Sequence, residues 1–147
     1  MIFVDSSVIL NLIFETQLTG LAKKILEFDE PKITSDTVVD ETYLVVLKKV
    51  LVPESRSTRS LRKLLKKDPS AREKAGELLA LVLGSISAMG IIIVTDARWD
   101  AVGELVSGYG LLPHDARILA TALEYNCDKL ATLDEDFKNV DLIEIVP

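Results

Sequence analysis

Five carboxylic acids, Asp5, Glu41, Asp115, Asp134 and Asp136, stand where short apolar runs end or where helices begin. Carboxylates gathered from distant parts of a chain repel one another, and either a cation or protonation of one acid relieves the repulsion. Hard cations such as Mg²⁺ take oxygen ligands and bind through carboxylates together with waters and phosphates. The chemistry such a set would serve is metal-dependent attack on a phosphodiester. A bound Mg²⁺ or Mn²⁺ polarises a phosphoryl oxygen and lowers the pKa of a coordinated water for in-line attack. Singly, each acid has a plainer use. Asp5 and Asp115 suit helix starts, Glu41 a solvated helix face, and Asp134 with Asp136 the turn in TLDEDF. Only their joint placement sets them apart from these plainer uses.

The elements that would position them alternate between strand and helix. Ile2–Val4 reads as a strand ending in Asp5, with Asp5, Ser6 or Ser7 capping a helix through Val8, Leu12 and Ile13. A helix over Leu18–Phe28 stops before Pro31, and Lys32–Thr34 forms a minimal strand. Ser35 or Asp36 caps a helix to about Leu51. Helices over Ser57–Lys66 and from Pro69 to about Ala88 follow, the latter closed by Gly90. The run Ile91–Val94 suits a strand buried on both faces, as in a parallel sheet. Asp96 is expected to open a helix to about Val106, with Trp99, Val102 and Leu105 facing the core. Pro113 starts the helix carrying Ile118, Leu119 and Ala122, and Lys129–Thr132 and Leu142–Val146 are the last strands. This alternation predicts an α/β fold with a mainly parallel sheet of about five strands.

Parallel α/β sheets form their sites outside the carboxyl ends of the strands. Asp5 and Asp134 each follow a strand, and Glu41 lies early in the helix after strand two. Asp115 opens the helix that precedes strand four. Such a helix runs opposite to its strand, so its first turn also sits at the carboxyl edge. Helix N-termini offset the resulting repulsion by only ~0.3–1 kcal/mol per favourable contact, too little for four like charges. Asp40, beside Glu41, points about 100° away on a helix and is left out of the site.

The 147 residues, 48% of them apolar, suffice for one domain over 1–147 with a real core. No apolar run reaches the ~18 residues of a membrane span, and MIFVDSS has no export signal, so a cytoplasmic protein without membrane association is expected. Cys127 is alone and expected to pack in the core. The net charge of −6 hides an asymmetry: residues 48–74 hold ten basic and three acidic side chains, +7 against −13 for the remainder. Within this basic arm, Arg56, Arg59, Arg62, Lys63 and Lys66 are candidates for guiding RNA phosphates toward the acids. An amphipathic helix kept soluble by its charges, or a surface for a protein partner, are the other readings of the arm. His114, the sole histidine, is set aside as a general base.

Four motifs resemble the PIN-domain ribonucleases and, within them, the VapC-type toxins. They are VDSSV at 4–8, SDTVVDE at 35–41, DARILATAL at 115–123 and LATLDEDF at 130–137. The resemblance spans the chain, and the order and spacing of the motifs make it specific. It implies a three-layer α/β/α fold and a Mg²⁺- or Mn²⁺-dependent endoribonuclease site. By position, Asp5, Glu41, Asp115 and Asp134 would form the catalytic, metal-binding quartet, with Asp136 auxiliary. Ser6, Thr132 and Asn11 would support it. An RNA substrate, an antitoxin protein and a homodimer are the expected partners. The long region between Glu41 and Ile91 departs from the pattern of a compact toxin. An RNA-processing nuclease without an antitoxin and a silent interaction module are the alternatives. A phospho-acceptor receiver, which has an acid pair after strand one and a lysine near the last strand, fits less well, because Ser6 follows Asp5 and the final strand reads LIEIV.

Overall fold

Strand β1 (Ile2–Val4) is wholly buried and forms the middle of the sheet. The computed structural model describes residues 1–147. Strands β2 (Lys32–Ser35), β3 (Ile91–Val94), β4 (Lys129–Ala131) and β5 (Glu144–Val146) complete it. All pairings are parallel and the order is β3-β2-β1-β4-β5.

Seven helices connect them: α1 (Ser6–Ile13), α2 (Thr19–Leu26), α3 (Asp36–Leu51), α4 (Thr58–Lys67), α5 (Pro69–Ala88), α6 (Trp99–Tyr109) and α7 (Pro113–Glu124). Strands β1, β2 and β3 progress toward one edge, and the chain then returns past β1 to β4. Right-handed crossovers therefore place α1 to α5 on one face and α6 with α7 on the other. The result is the expected α/β/α sandwich. Thirty-three buried apolar side chains form a continuous core around β1. Cys127 packs in it, and burial pushes its thiol up to about 11.

Local chemistry sets the helix ends. Asp68 accepts from the amides of Ser70 and Ala71, and Pro69 occupies the first turn of α5. Gly90 and Gly110 end α5 and α6 at φ of +69° and +67°, a region that glycine enters at little cost.

Three expectations are corrected. Strand β3 is an edge, not a strand buried on both faces: it pairs only with β2, and Ile92 is 63% exposed. Its apolar run reflects β-branched propensity: Ile91 is buried in the core and Val94 packs against it, while Ile92 and Ile93 are exposed. The helix expected from Asp96 begins at Trp99, because Asp96 is engaged elsewhere, and Trp99 itself is 63% exposed rather than packed inward. A short 3₁₀ turn, Glu135–Asn139, also follows β4.

The register of the long helices bears on the basic arm. Tyr43 Oη donates to the Ala75 carbonyl (2.8 Å), and Val46 and Val50 share an apolar groove with Leu78 and Leu81. Helices α3 and α5 therefore run in the same direction. Helix α4 must run back between them, bringing its C-terminal lysines toward the carboxyl edge of the sheet.

Candidate active site

Strands are added toward β3 on one side of β1 and toward β5 on the other, so the order β2-β1-β4 places a switch point between β1 and β4. A crevice opens at such a switch point, outside the carboxyl ends of the strands. Asp5 leaves β1 there, and its amide bonds the Ala131 carbonyl of β4 (3.0 Å). The carboxylate is buried, and Oδ2 accepts from the hydroxyls of Ser7 (2.7 Å) and Thr132 (2.8 Å). Those hydroxyls accept in turn, Ser7 Oγ from the Leu133 amide (2.9 Å) and Thr132 Oγ1 from the Asp134 amide (3.0 Å). Each hydroxyl proton is thus committed to Asp5, and Asp5 Oδ1 has no protein donor. Asp134 caps the 3₁₀ turn, its Oδ1 accepting from the Asp136 amide (2.9 Å).

Glu41 and Asp115 approach from helices. Glu41 lies in the second turn of α3. Burial pushes its carboxyl up; a hydroxyl contact from Ser6 opposes this, and the charges of Asp5 and Asp134 add to it. Asp115, in the first turn of α7, is buried, and its carboxyl is pushed up to about 6. Desolvation is the main cause. His114 opposes it, and Asp134, Glu41 and Asp5 reinforce it. His114 Nε2 stands 3.2 Å from Asp115 Oδ1 with its side chain half exposed. Mutual charge therefore links carboxylates from four separate segments.

The other sequence-derived residues fall at different distances from this cluster. Thr132 is inside it. Ser6 faces Glu41, and the neighbouring Ser7 supplies a hydroxyl to Asp5. Asn11 is taken up elsewhere, donating to the Ser7 carbonyl (2.6 Å) and accepting from Thr16 at the junction of α1 and α2. Asp136 is exposed on the 3₁₀ turn. Arg56, Arg59, Arg62, Lys63 and Lys66 do not reach the cluster and none joins an ion pair, while Leu61 anchors α4 to the core.

Sequence reasoning missed Asp96, although it follows β3 as Asp5 follows β1. Its carboxylate accepts from the amide (3.1 Å) and hydroxyl (3.0 Å) of Thr37 at the start of α3. It also lies 3.7 Å from Arg117 Nη2 of α7. The Arg117 guanidinium sits over the Trp99 ring, 4.5 Å from its centroid.

The donor set suits a hard cation. Four carboxylates converge, no lysine or arginine pairs with any of them, and two have raised pKa values. No three His, Cys, Asp or Glu side chains already enclose one point. The arrangement is a charge cluster rather than a finished coordination shell.

The PIN domain family model matches residues 2–143. The chain is 29% identical to Ribonuclease VapC6 of Methanocaldococcus jannaschii over 99% of its own length and 95% of that protein's. Among solved structures it resembles VapC20 of Mycobacterium tuberculosis, described as a sarcin-ricin loop cleaving toxin, with a TM-score of 0.65 at 16% identity and full coverage of both chains. A toxin-antitoxin complex from Klebsiella pneumoniae matches with a TM-score of 0.60 at 18% identity, over 100% of this chain and 97% of that one. At these identities the two structures speak for the fold.

Proposed function

The chain belongs to the PIN domain family, and from that premise we propose that it is a divalent-cation-dependent endoribonuclease, the toxin of a toxin–antitoxin pair. The observation that carries the reading is the convergence of Asp5, Glu41, Asp115 and Asp134 with no lysine or arginine partner. The ribonuclease name of the archaeal relative supports the reaction. The Klebsiella toxin-antitoxin complex supports a protein antitoxin as partner.

Asp5, Glu41, Asp115 and Asp134 would hold Mg²⁺ or Mn²⁺, with Asp136 auxiliary. A cation held there would supply positive charge beside a scissile phosphate and make a nearby water more acidic. The chain's own contribution is positioning. Ser7 and Thr132 fix Asp5 through Oδ2 and leave Oδ1 free. Glu41 and Asp115, held in desolvated surroundings, release protons more readily when positive charge arrives. The cations of α4 supply phosphate contacts that draw an anionic substrate to an acidic body. Their order along α4 gives Lys63 and Lys66 the positions nearer the cleft.

The test is cleavage of single-stranded RNA in millimolar Mn²⁺. Cleavage should vanish in EDTA and fall about 10²–10³-fold in Asp5→Asn, the scale of losing a principal charge-stabilising group. Cleavage that persists in EDTA or in Asp5→Asn contradicts the metal-site reading. An inert wild-type protein contradicts the nuclease reading itself.

A further inference from the structure

Next to the acid cluster lies a cleft of about 560 Å³ whose walls are Asp36 and Asp40 of α3, Asp96, Trp99 of α6, and His114 and Arg117 of α7. It shares both long walls with the nuclease site, since Asp40 precedes Glu41 and His114 precedes Asp115. Two features of this cleft have no part in the reaction described above.

Trp99 is the largest exposed apolar side chain of the molecule, and its position is fixed. Arg117 covers its ring, Asp96 holds Arg117, and Thr37 holds Asp96. The adjoining loop is tied down as well, the Ala97 amide donating to Thr121 Oγ1 (2.9 Å). The indole is thus a braced platform rather than a stray surface residue. The cleft is also acidic: Asp36 and Asp40 are exposed one helical turn apart and join no ion pair. Like charges at this spacing work against the helix. Their sign disfavours a phosphate at this wall, and an uncharged ring with N–H donors suits it.

We propose that this cleft is a nucleobase subsite, in which Trp99 stacks a base adjoining the bond to be cut and Asp36 or Asp40 reads its Watson–Crick edge. Single-stranded RNA is recognised in this way, by stacking on aromatic or guanidinium planes and hydrogen bonds to exposed base edges. The base favoured is guanine. Its N1–H and N2–H are adjacent donors that match both oxygens of one carboxylate. Adenine, cytosine and uracil place an acceptor beside the donor, facing the second oxygen. The proposal rests on the nuclease reading for its substrate.

Trp99 is the sole tryptophan, so its fluorescence reports the subsite directly. The experiment titrates the full chain, in EDTA, with pentaribonucleotides carrying one central guanosine, adenosine, cytidine or uridine among uridines. The indole signal should change saturably, with the guanosine oligomer half-saturating at about a tenfold lower concentration, within the range of good base discrimination. The double variant Asp36→Asn/Asp40→Asn should lose that preference and keep the signal. By anisotropy of a labelled oligomer, Trp99→Ala should bind about tenfold or more weakly, the scale of removing one base stack, and Trp99→Phe should recover most of the affinity. An indole signal unmoved by RNA that binds elsewhere overturns the proposal, as does equal half-saturation for all four bases. A signal that instead moves only on binding a protein partner assigns the face to that partner and also overturns it. Because binding is read without cleavage, an unresponsive indole in an active ribonuclease sinks this inference alone. A responsive indole in an inert protein sinks only the nuclease reading.

Discussion

Asp5 enters the crevice with two hydroxyl protons already directed at its Oδ2, whereas Asp115 faces it from α7 with only His114 beside it. The two acids are equally buried, at 4% and 5% exposure, so burial does not separate them. Donors do. On the strand side, Ser7 and Thr132 relay backbone amides of the β4 loop onto one carboxylate oxygen. On the helix side, desolvation and neighbouring carboxylates outweigh His114, and the Asp115 carboxyl is pushed up to about 6. One half of the site is preorganised. The other half is poised to respond to positive charge.

The largest effect should come from breaking the organised half. Ser7→Ala removes a donor to a buried carboxylate and strands the Leu133 amide, at a cost of about 1–3 kcal/mol, read as a lower urea midpoint. An unchanged midpoint would show that the hydroxyl relay does not distinguish the two sides. A smaller effect is expected at the periphery, where neither half is touched. Charge reversal at Arg59 and Arg62 should weaken RNA binding a few-fold and lower the salt slope by about one for each phosphate no longer neutralised. It should leave thermal stability nearly unchanged, because both side chains are exposed and unpaired. An unaltered affinity and slope would reassign α4 to solubility or to a protein partner.

Much of this contrast is legible in the sequence, and for a physical reason. A parallel sheet orients its carboxyl edge the same way for every strand, so Asp5 and Asp134 follow from being next to strand ends. Asp115 follows from the antiparallel run of the helix before β4. The hydroxyl relay is less legible: Ser6 and Ser7 are equivalent in sequence, and only their separation of about 100° on α1 decides which one meets Asp5 and which one meets Glu41. Strand order depends on which face each crossover takes, so the four apolar residues of β3 read as central although they lie at the edge. Trp99 shares helical spacing with Val102 and Leu105 but sits in the first turn of α6, clear of the core. Asp96 obeys the same strand-end rule as Asp5, but a helix start accounts for an aspartate there equally well, and the rule alone does not choose between them.

On this reading the helix-side carboxylates are held in repulsion until a cation joins them to the strand side. Melting of the wild-type protein across pH, in EDTA and in millimolar Mn²⁺, tests it most directly. Asp115 has a folded pKa raised from 3.8 to about 6, so its favourable contribution is complete below 3.8 and is lost as pH rises through about 6. In EDTA, stability should therefore fall across that window, and Asp115→Asn should flatten the fall. Mn²⁺ should raise the melting temperature most above that window, by mass action on the folded state. Superimposable melting curves with EDTA and with Mn²⁺ at pH 7 would contradict the account.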